Sequence, residues 1–299
     1  MAIFAIGDMH LSLGTDKPMD VFPGWEGYLP RLEASWRKLI GPDDTVVLAG
    51  DTSWAMNLND TKADFAFIQN LPGQKWLLKG NHDYWWTTTR KMENFLTANG
   101  FDTLHILHNN ACTVGNVALC GTRGWPFDDV AAQGEKLMAR EAGRLRMSLQ
   151  AAGDAAEKIA FLHYPPIYPG AQAQELVDVL NEFGVTECYY GHLHGKSIRY
   201  ATQGERDGIT YRLISADGLS FCPYKISDRL EELISDGRRQ IEEIEGKIKA
   251  GDNRREIIER YTNLKHLNRE MVEVLIDYIS VGKRIPGTRS VPIEIHWNF

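Results

Sequence analysis

Residues 2–10 read AIFAIGDMH: five apolar residues, a glycine, then Asp8 and His10 with one residue between them. A short apolar run closed by Gly-Asp is the signature of a buried strand ending in a turn. The same grammar recurs four times. Asp51 follows TVVLAG at 45–50, Asn81 and His82 follow KWLLKG at 75–80, His163 follows KIAFL at 158–162, and His192 and His194 follow ECYYG at 187–191. In open α/β sheets, residues just past the carboxyl ends of the strands face the ligand crevice.

Working outward, strands are expected at 3–6, 45–49, 75–78, 117–120, 158–162 and 187–190. Helical stretches separate them. Residues 60–70 begin on Asp60 and stop before Pro72, and 87–99 stop at Gly100. Residues 130–152 carry Leu137, Leu145 and Leu149 on one face, and 173–183 end at Gly184. Alternation of strand and helix predicts an α/β fold with a largely parallel or mixed sheet.

After Cys222-Pro223 the pattern changes. Ile226, Leu230, Leu233, Ile241, Ile244 and Ile248 recur at helical spacing. So do Ile257, Tyr261, Leu264, Met271, Val274 and Tyr278, and Gly251-Asp252-Asn253 separates the two runs. This predicts a helical hairpin, followed by an added strand near 291–297. The expected division is a catalytic domain at 1–224 and an extension at 225–299. The extension holds 14 Lys/Arg and 14 Asp/Glu, so the whole formal charge of -7 resides in residues 1–224. It reads as a helical cover or a homo-oligomer contact, or else as a lid over the site, and not as a basic arm for nucleic acid.

At 43% hydrophobic and 24% charged, the 299 residues suit an ordinary globular protein. The acidic balance argues against a general nucleic-acid surface. No apolar run approaches the ~18 residues of a membrane span. A signal peptide cut after AIFAI would destroy the first cluster. Cys112, Cys120, Cys188 and Cys222 are scattered without a CxxC pair. They read as free thiols in a reducing cytosol, and the expected localisation is cytoplasmic.

Each cluster alone has a plain structural explanation. Asp after Gly is a common turn residue, Asn81-His82 suits an Asx turn, and two histidines in GHLHG could simply be solvated. Five such clusters at five strand ends point to chemistry instead. In D-x-H, residues i and i+2 can point to one side, so Asp8 and His10 can share an ion. Asp51 can bridge to a second ion held by Asn81, His163 and His192, while His194 reaches back to the first. Two cations about 3.5–4 Å apart would make a hydroxide nucleophilic near neutral pH and neutralise a phosphoryl group. His82 is expected to protonate the leaving oxygen. Asp83 is expected either to orient His82 or, slightly favoured, to form a turn.

The blocks GDMH, AGDT, GNHD, LHYPP and GHLHG closely resemble, in order, those of the calcineurin-like metallophosphoesterase superfamily. The resemblance covers roughly residues 1–222. It implies a four-layer α/β/β/α sandwich with a dinuclear metal centre above its central sheets. By position it gives Asp8, His10, Asp51 and His194 to one metal, and Asp51, Asn81, His163 and His192 to the other. It makes His82 the catalytic histidine. The D-x-H and GNHD spellings look like the prokaryotic branch, and KPMDVFPGW at 17–25 is similar to bacterial predicted phosphohydrolases. Nothing in the resemblance reaches the tail.

Four His, two Asp and one Asn suit manganese first, with iron, zinc or cobalt also fitting. Trp25, Tyr28, Trp54, Tyr84, Trp85, Trp86, Trp125, Phe127, Tyr164 and Tyr168 flank the clusters; packing explains them, and stacking on a nucleobase is the functional alternative. Arg123 in GTRGW is expected to clamp a phosphate oxygen or to form a salt bridge. His105 and His108 fall outside the pattern. The expected activity is hydrolysis of a small phosphate mono- or diester, with a nucleotide in view. The alternatives are a nuclease, which needs a basic track that the charge balance does not provide, and a non-catalytic metal-bound scaffold.

Overall fold

The computed structural model describes residues 1–125, 132–228, 246, 276–281 and 291–297. In chain order the strands are β1 (Ala2–Ile6), β2 (Thr45–Leu48), β3 (Gln74–Leu77), β4 (Leu104–Ile106), β5 (Ala111–Val114), β6 (Val117–Thr122), β7 (Glu157–Leu162), β8 (Ile167–Tyr168), β9 (Ala171–Gln172), β10 (Glu187–Tyr190), β11 (Gly204–Arg206), β12 (Ile209–Leu213), β13 (Tyr224–Asp228), β14 (Ile276–Val281) and β15 (Ile293–Trp297). The helices are α1 (Tyr28–Leu39), α2 (Lys62–Gln69), α3 (Thr89–Ala98), α4 (Ala132–Ala151) and α5 (Gln174–Glu182). The chain divides into two compact units, Met1–Glu232 and Leu233–Phe299.

The first unit holds two sheets, ordered β13-β1-β2-β3-β4 and β11-β12-β10-β7-β6-β5. Neighbours run parallel except at β13, β11 and β5, which close their sheets antiparallel. Side chains on a strand alternate between faces, and here the alternation sorts residues into three cores. Phe4, Ile6, Val46 and Leu48 pack with Leu32 and Trp36 of α1, Phe65 of α2 and Met92 of α3. Ala118, Cys120, Ala160, Leu162, Cys188 and Tyr190 pack with Leu145 of α4 and Leu176 of α5. The residues between them in sequence, Ile3, Ala5, Val47, Leu119, Ile159, Phe161 and Tyr189, meet in a core between the sheets. The unit is thus a four-layer α/β/β/α sandwich. Cys112, Cys120, Cys188 and Cys222 are all free.

The six expected strands correspond to β1, β2, β3, β6, β7 and β10, and the four expected helices to α2 through α5. Helix α1 is not among the expected elements, although Tyr28, Leu32 and Trp36 form its buried stripe at a spacing of four. Pro30 sits in its first turn, where the missing N–H costs nothing.

Two expectations in the tail are corrected. Ile226, expected to open a helix, lies in β13, which pairs antiparallel with β1 from Ala5↔Tyr224 to Ala2↔Asp228. The strand gives β1 backbone partners along an edge that would otherwise stand open. Tyr278, expected in the second helix, lies in β14, which pairs antiparallel with the expected strand β15. The rest of the predicted hairpin lies outside the described residues, apart from Gly246, which is helical. Among the described residues no helix is long and apolar enough to cross a membrane.

Candidate metal centre

All seven predicted donors converge where the strands end. Asp8 and His10 follow β1, Asp51 follows β2, Asn81 follows β3, His163 follows β7, and His192 and His194 follow β10. Backbone hydrogen bonds lace these loops together. The Asp8 amide donates to the Gly50 carbonyl at 2.9 Å, the His10 amide to Asp51 O at 2.9 Å, and the Gly191 amide to His163 O at 3.1 Å. Asp8, His10, Asp51 and His192 all sit at positive φ, between 46° and 72°. L-residues rarely adopt this conformation, and it concentrates where the surrounding structure holds a functional geometry in place.

The glycines of the motifs have a steric cause. A Cβ on Gly80 would collide with the Asp51 carboxylate and its amide, and one on Gly191 would collide with Asp8 Oδ2. Only glycine lets the loops approach so closely.

Asp8 is fully buried, and its oxygens accept from the His192 amide at 2.9 and 3.1 Å. Asp8, His10 and His194 present donor atoms within 4.8 Å of one another, as do Asp8, Asp51 and His163. Asp51 Oδ1 accepts from the His82 amide at 2.7 Å. Asp51 Oδ2 lies 3.7 Å from His10 Nε2 and 3.5 Å from His163 Nε2. One carboxylate oxygen therefore reaches both groups of histidines.

The donor set fits cations and little else. His163 Nδ1 faces the Ala49 carbonyl at 3.2 Å, so its N–H belongs there. Its Nε2 lone pair then faces Asn81 Oδ1 at 2.6 Å, and His192 Nδ1 faces the same oxygen at 3.0 Å. His194 Nδ1 faces Asp217 Oδ1 at 3.1 Å, which turns its Nε2 toward His10 Nε2 at 3.2 Å. The His163 Nε2 lone pair thus crowds on the Asn81 oxygen at a distance that a shared cation would relieve. Imidazoles tied by the far nitrogen to a carboxylate or carbonyl are typical metal ligands.

The electrostatics agree. Burial pushes His10 down to about 3 and His192 down to about 4, so both are neutral donors at pH 7. Burial and the neighbouring Asp8 push Asp51 up to about 8. Burial opposes the charge on Asp8 too, but His194, His163 and His10 outweigh it and hold its carboxyl well below the usual range. Against burial, Asp8 and Asp217 raise His194 to about 10. Two adjacent buried carboxylates cannot both ionise cheaply without positive charge between them.

His82 stands beside this cluster, half-buried. Its ring centroid is 5.7 Å from that of His10 and 4.5 Å from Trp54, and Nδ1 is 3.4 Å from the Tyr84 hydroxyl. Burial lowers its pKa. Trp54 stacks on His10 at 4.8 Å, and Trp25 packs edge-on against it at 6.0 Å. Packing thus accounts for both tryptophans. Phe127 lies outside the described residues. Arg123 is 3.9 Å from Glu141 and stacks over Trp125 at 4.8 Å.

Two residues have roles that the motifs do not announce. Asp217, after β12, holds His194 and also accepts from the Gly195 amide at 2.8 Å. Asp83 neither orients the His82 ring nor forms a simple turn. Its buried carboxylate accepts from the amides of Gly80 (2.7 Å), Asp51 (2.9 Å), Thr52 (2.9 Å) and Ser53 (3.3 Å), and from Trp85 Nε1 (2.9 Å). It ties the Asp51 loop to the Asn81 loop.

This fold and donor set define a metallohydrolase. The calcineurin-like phosphoesterase family model matches residues 1–196, and the chain belongs to that family. It is a hydrolase of phosphate esters that works with divalent metal ions. A model described as a domain of unknown function matches residues 240–299. None of the curated proteins matches. Among solved structures, the chain is similar to a protein of unknown function from Aquifex aeolicus, AQ665, at 15% identity over 79% of this chain and 98% of that one, with a TM-score of 0.43. It is similar to the phosphopantetheinyl hydrolase of Mycobacterium tuberculosis at 14% identity over 75% and 95%, with a TM-score of 0.48. It is also similar to TT1561 of Thermus thermophilus at 15% identity over 70% and 86%, with a TM-score of 0.46.

Proposed function

We propose that the protein hydrolyses small phosphate mono- or diesters at a two-ion centre, nucleotides among them. Asp8, His10, Asp51 and His194 would hold one ion, and Asp51, Asn81, His163 and His192 the other. The observation that carries this reading is Asp51 Oδ2, which lies within 3.7 Å of a nitrogen in each histidine group. Manganese is the first expectation, with iron, zinc or cobalt fitting the same donors. Bound divalent ions would supply Lewis acidity toward the phosphoryl group and acidify water at the site.

The protein's own residues do the rest. Ala49 O and Asp217 fix the orientation of the His163 and His194 rings. Asp83 holds the Asp51 and Asn81 loops in register. Trp25 and Trp54 shield His10 from water on its open faces. His82 delivers a proton to the leaving oxygen as general acid, and its half-buried ring has access to substrate. Residues 1–224 carry this chemistry, residues 225–228 of β13 complete the first sheet, and the chain from Leu233 onward is an appendage.

The test is turnover of p-nitrophenyl phosphate and bis-p-nitrophenyl phosphate by Mn²⁺-loaded protein, with Asp51→Asn as blank. Hydrolysis of either, absent in the variant, supports the reading; the preferred ester separates monoesterase from diesterase. No turnover of either, with two ions bound, favours the scaffold reading.

A further inference from the structure

Lys79 and Arg123 leave the two sheets side by side. Lys79 follows β3 and Arg123 follows β6, and these strand ends touch across the inter-sheet core: a Cβ on Gly121 would stand 3.2 Å from Leu78 Cδ1. The Arg123 carbonyl accepts from the His163 amide at 3.1 Å and the Tyr164 amide at 2.9 Å. The root of the guanidinium is thereby pinned to a donor loop, and Lys79 is two residues from Asn81.

The charges do not balance. The acidic neighbour of Arg123 is Glu141, at 3.9 Å, and Arg123 Nε has no hydrogen-bond partner. Glu141 is already engaged, by Arg144 at 2.6 Å and by the Thr122 hydroxyl at 2.5 Å. The Lys79 ammonium makes no hydrogen bond or ion pair among the described residues. Asp83 is itself occupied by five N–H donors. Among the described residues, Lys79, Arg123 and Arg144 thus gather around the single, already engaged carboxylate of Glu141. A half-buried lysine without an anion is costly, and a lysine beside an arginine is a common phosphate receptor. Tyr164, whose amide donates to the Arg123 carbonyl, places its ring 4.4 Å from that of His192. Arg123 is thus rooted on the His163 loop and Lys79 on the Asn81 loop.

We propose that Lys79 and Arg123 form an anion subsite beside the metal centre, and that the substrate is a phosphate ester carrying a second phosphoryl group. Nucleoside diphosphates and bisphosphates belong to this class, and simple monoesters do not. The inference rests on the phosphohydrolase reading, so its test also reads binding.

The binding of AMP, ADP and adenosine 3′,5′-bisphosphate to metal-free protein is measured by calorimetry, for the wild type, Lys79→Gln and Arg123→Gln, each checked for native thermal unfolding. The ratio of kcat/KM for each doubly phosphorylated nucleotide to that for AMP is then measured on the Mn²⁺-loaded proteins. At least one of the two binds the wild type roughly tenfold tighter than AMP, and the advantage shrinks by about that factor in each variant, as expected for loss of a charge-assisted hydrogen bond. No advantage in the wild type, or an advantage that survives both substitutions, overturns the subsite. A binding advantage without turnover of any ester supports the subsite and counts against the phosphohydrolase reading alone.

Discussion

Asp217 Oδ1 stands 3.1 Å from His194 Nδ1 and holds an imidazole whose other nitrogen lies 3.4 Å from Asp8 Oδ1. The relationship is that of an outer carboxylate to a histidine proposed to bind metal. Such a partner orients the ring and raises its basicity, and losing one typically costs about 10–100-fold in metal affinity or activity. Asp217→Ala should weaken metal binding about 10-fold or more without unfolding the protein, as read by metal titration beside thermal unfolding. Wild-type affinity in the variant would mean that Asp217 serves the Gly195 turn alone.

His82 should behave differently from the donors. His82→Ala keeps its backbone amide, and with it the hydrogen bond to Asp51 Oδ1. The variant should retain its metal content while turnover falls about 10²-fold or more. The fall should be smaller for esters with good leaving groups, which need no proton. Loss of metal from His82→Ala would make His82 a ligand and remove it from the role of acid.

Gly80→Ala tests the close approach of the loops. Its methyl would land on the Asp51 carboxylate, so Asp51 must move or the Asn81 loop must open. The expected outcome is a folded protein with depleted metal and at least roughly tenfold lower activity, since misplacement of about 1 Å can cost about 10²-fold. Normal metal content and rate would show that the loops have more room than their packing indicates.

Lys75 offers a test remote from the centre. It is fully buried, with its ammonium donating to the Leu71 carbonyl and, at 3.0 Å, to the Thr103 hydroxyl. Burial lowers its pKa from 10.5 to about 8. A cationic group with a depressed folded-state pKa sheds its proton first in the folded protein. Its penalty is therefore full below pH 8 and relieved as pH rises toward 10.5. The stability of the wild type relative to Lys75→Met should climb by roughly 1–3 kcal/mol across that window, as read from urea midpoints. A constant difference would show that Lys75 keeps its charge in the fold.

Most of the sandwich, and the seven residues that converge at its strand ends, are legible in the chain because burial on both faces writes a strand as an unbroken apolar run, and those residues stand at the ends of the runs. What escapes lacks that grammar. Edge strands β4 and β5 are three and four residues long, too short to show a period. Helix α1 announces itself only through Tyr28, Leu32 and Trp36, with Pro30 masking the pattern. Ile226 reads as helical because it also fits a helical spacing with Leu230. The pairing of its strand with β1 is a long-range event that a local period cannot express. Asp217 belongs to no motif; it is an acidic loop residue until β12 brings it to His194. Asp83 is visible in GNHD, but its five donors come from the Asp51 loop and its own, so its role needs the fold.

The central claim is that Asp51 serves two ions at once. The direct measurement is metal stoichiometry by elemental analysis after Mn²⁺ loading and desalting, for the wild type and Asp51→Asn, together with the rate on the preferred p-nitrophenyl ester. The account predicts two manganese ions per wild-type chain, and loss of both metal and activity in the variant. A single ion in the wild type, or a variant that keeps two ions and full activity, would contradict it.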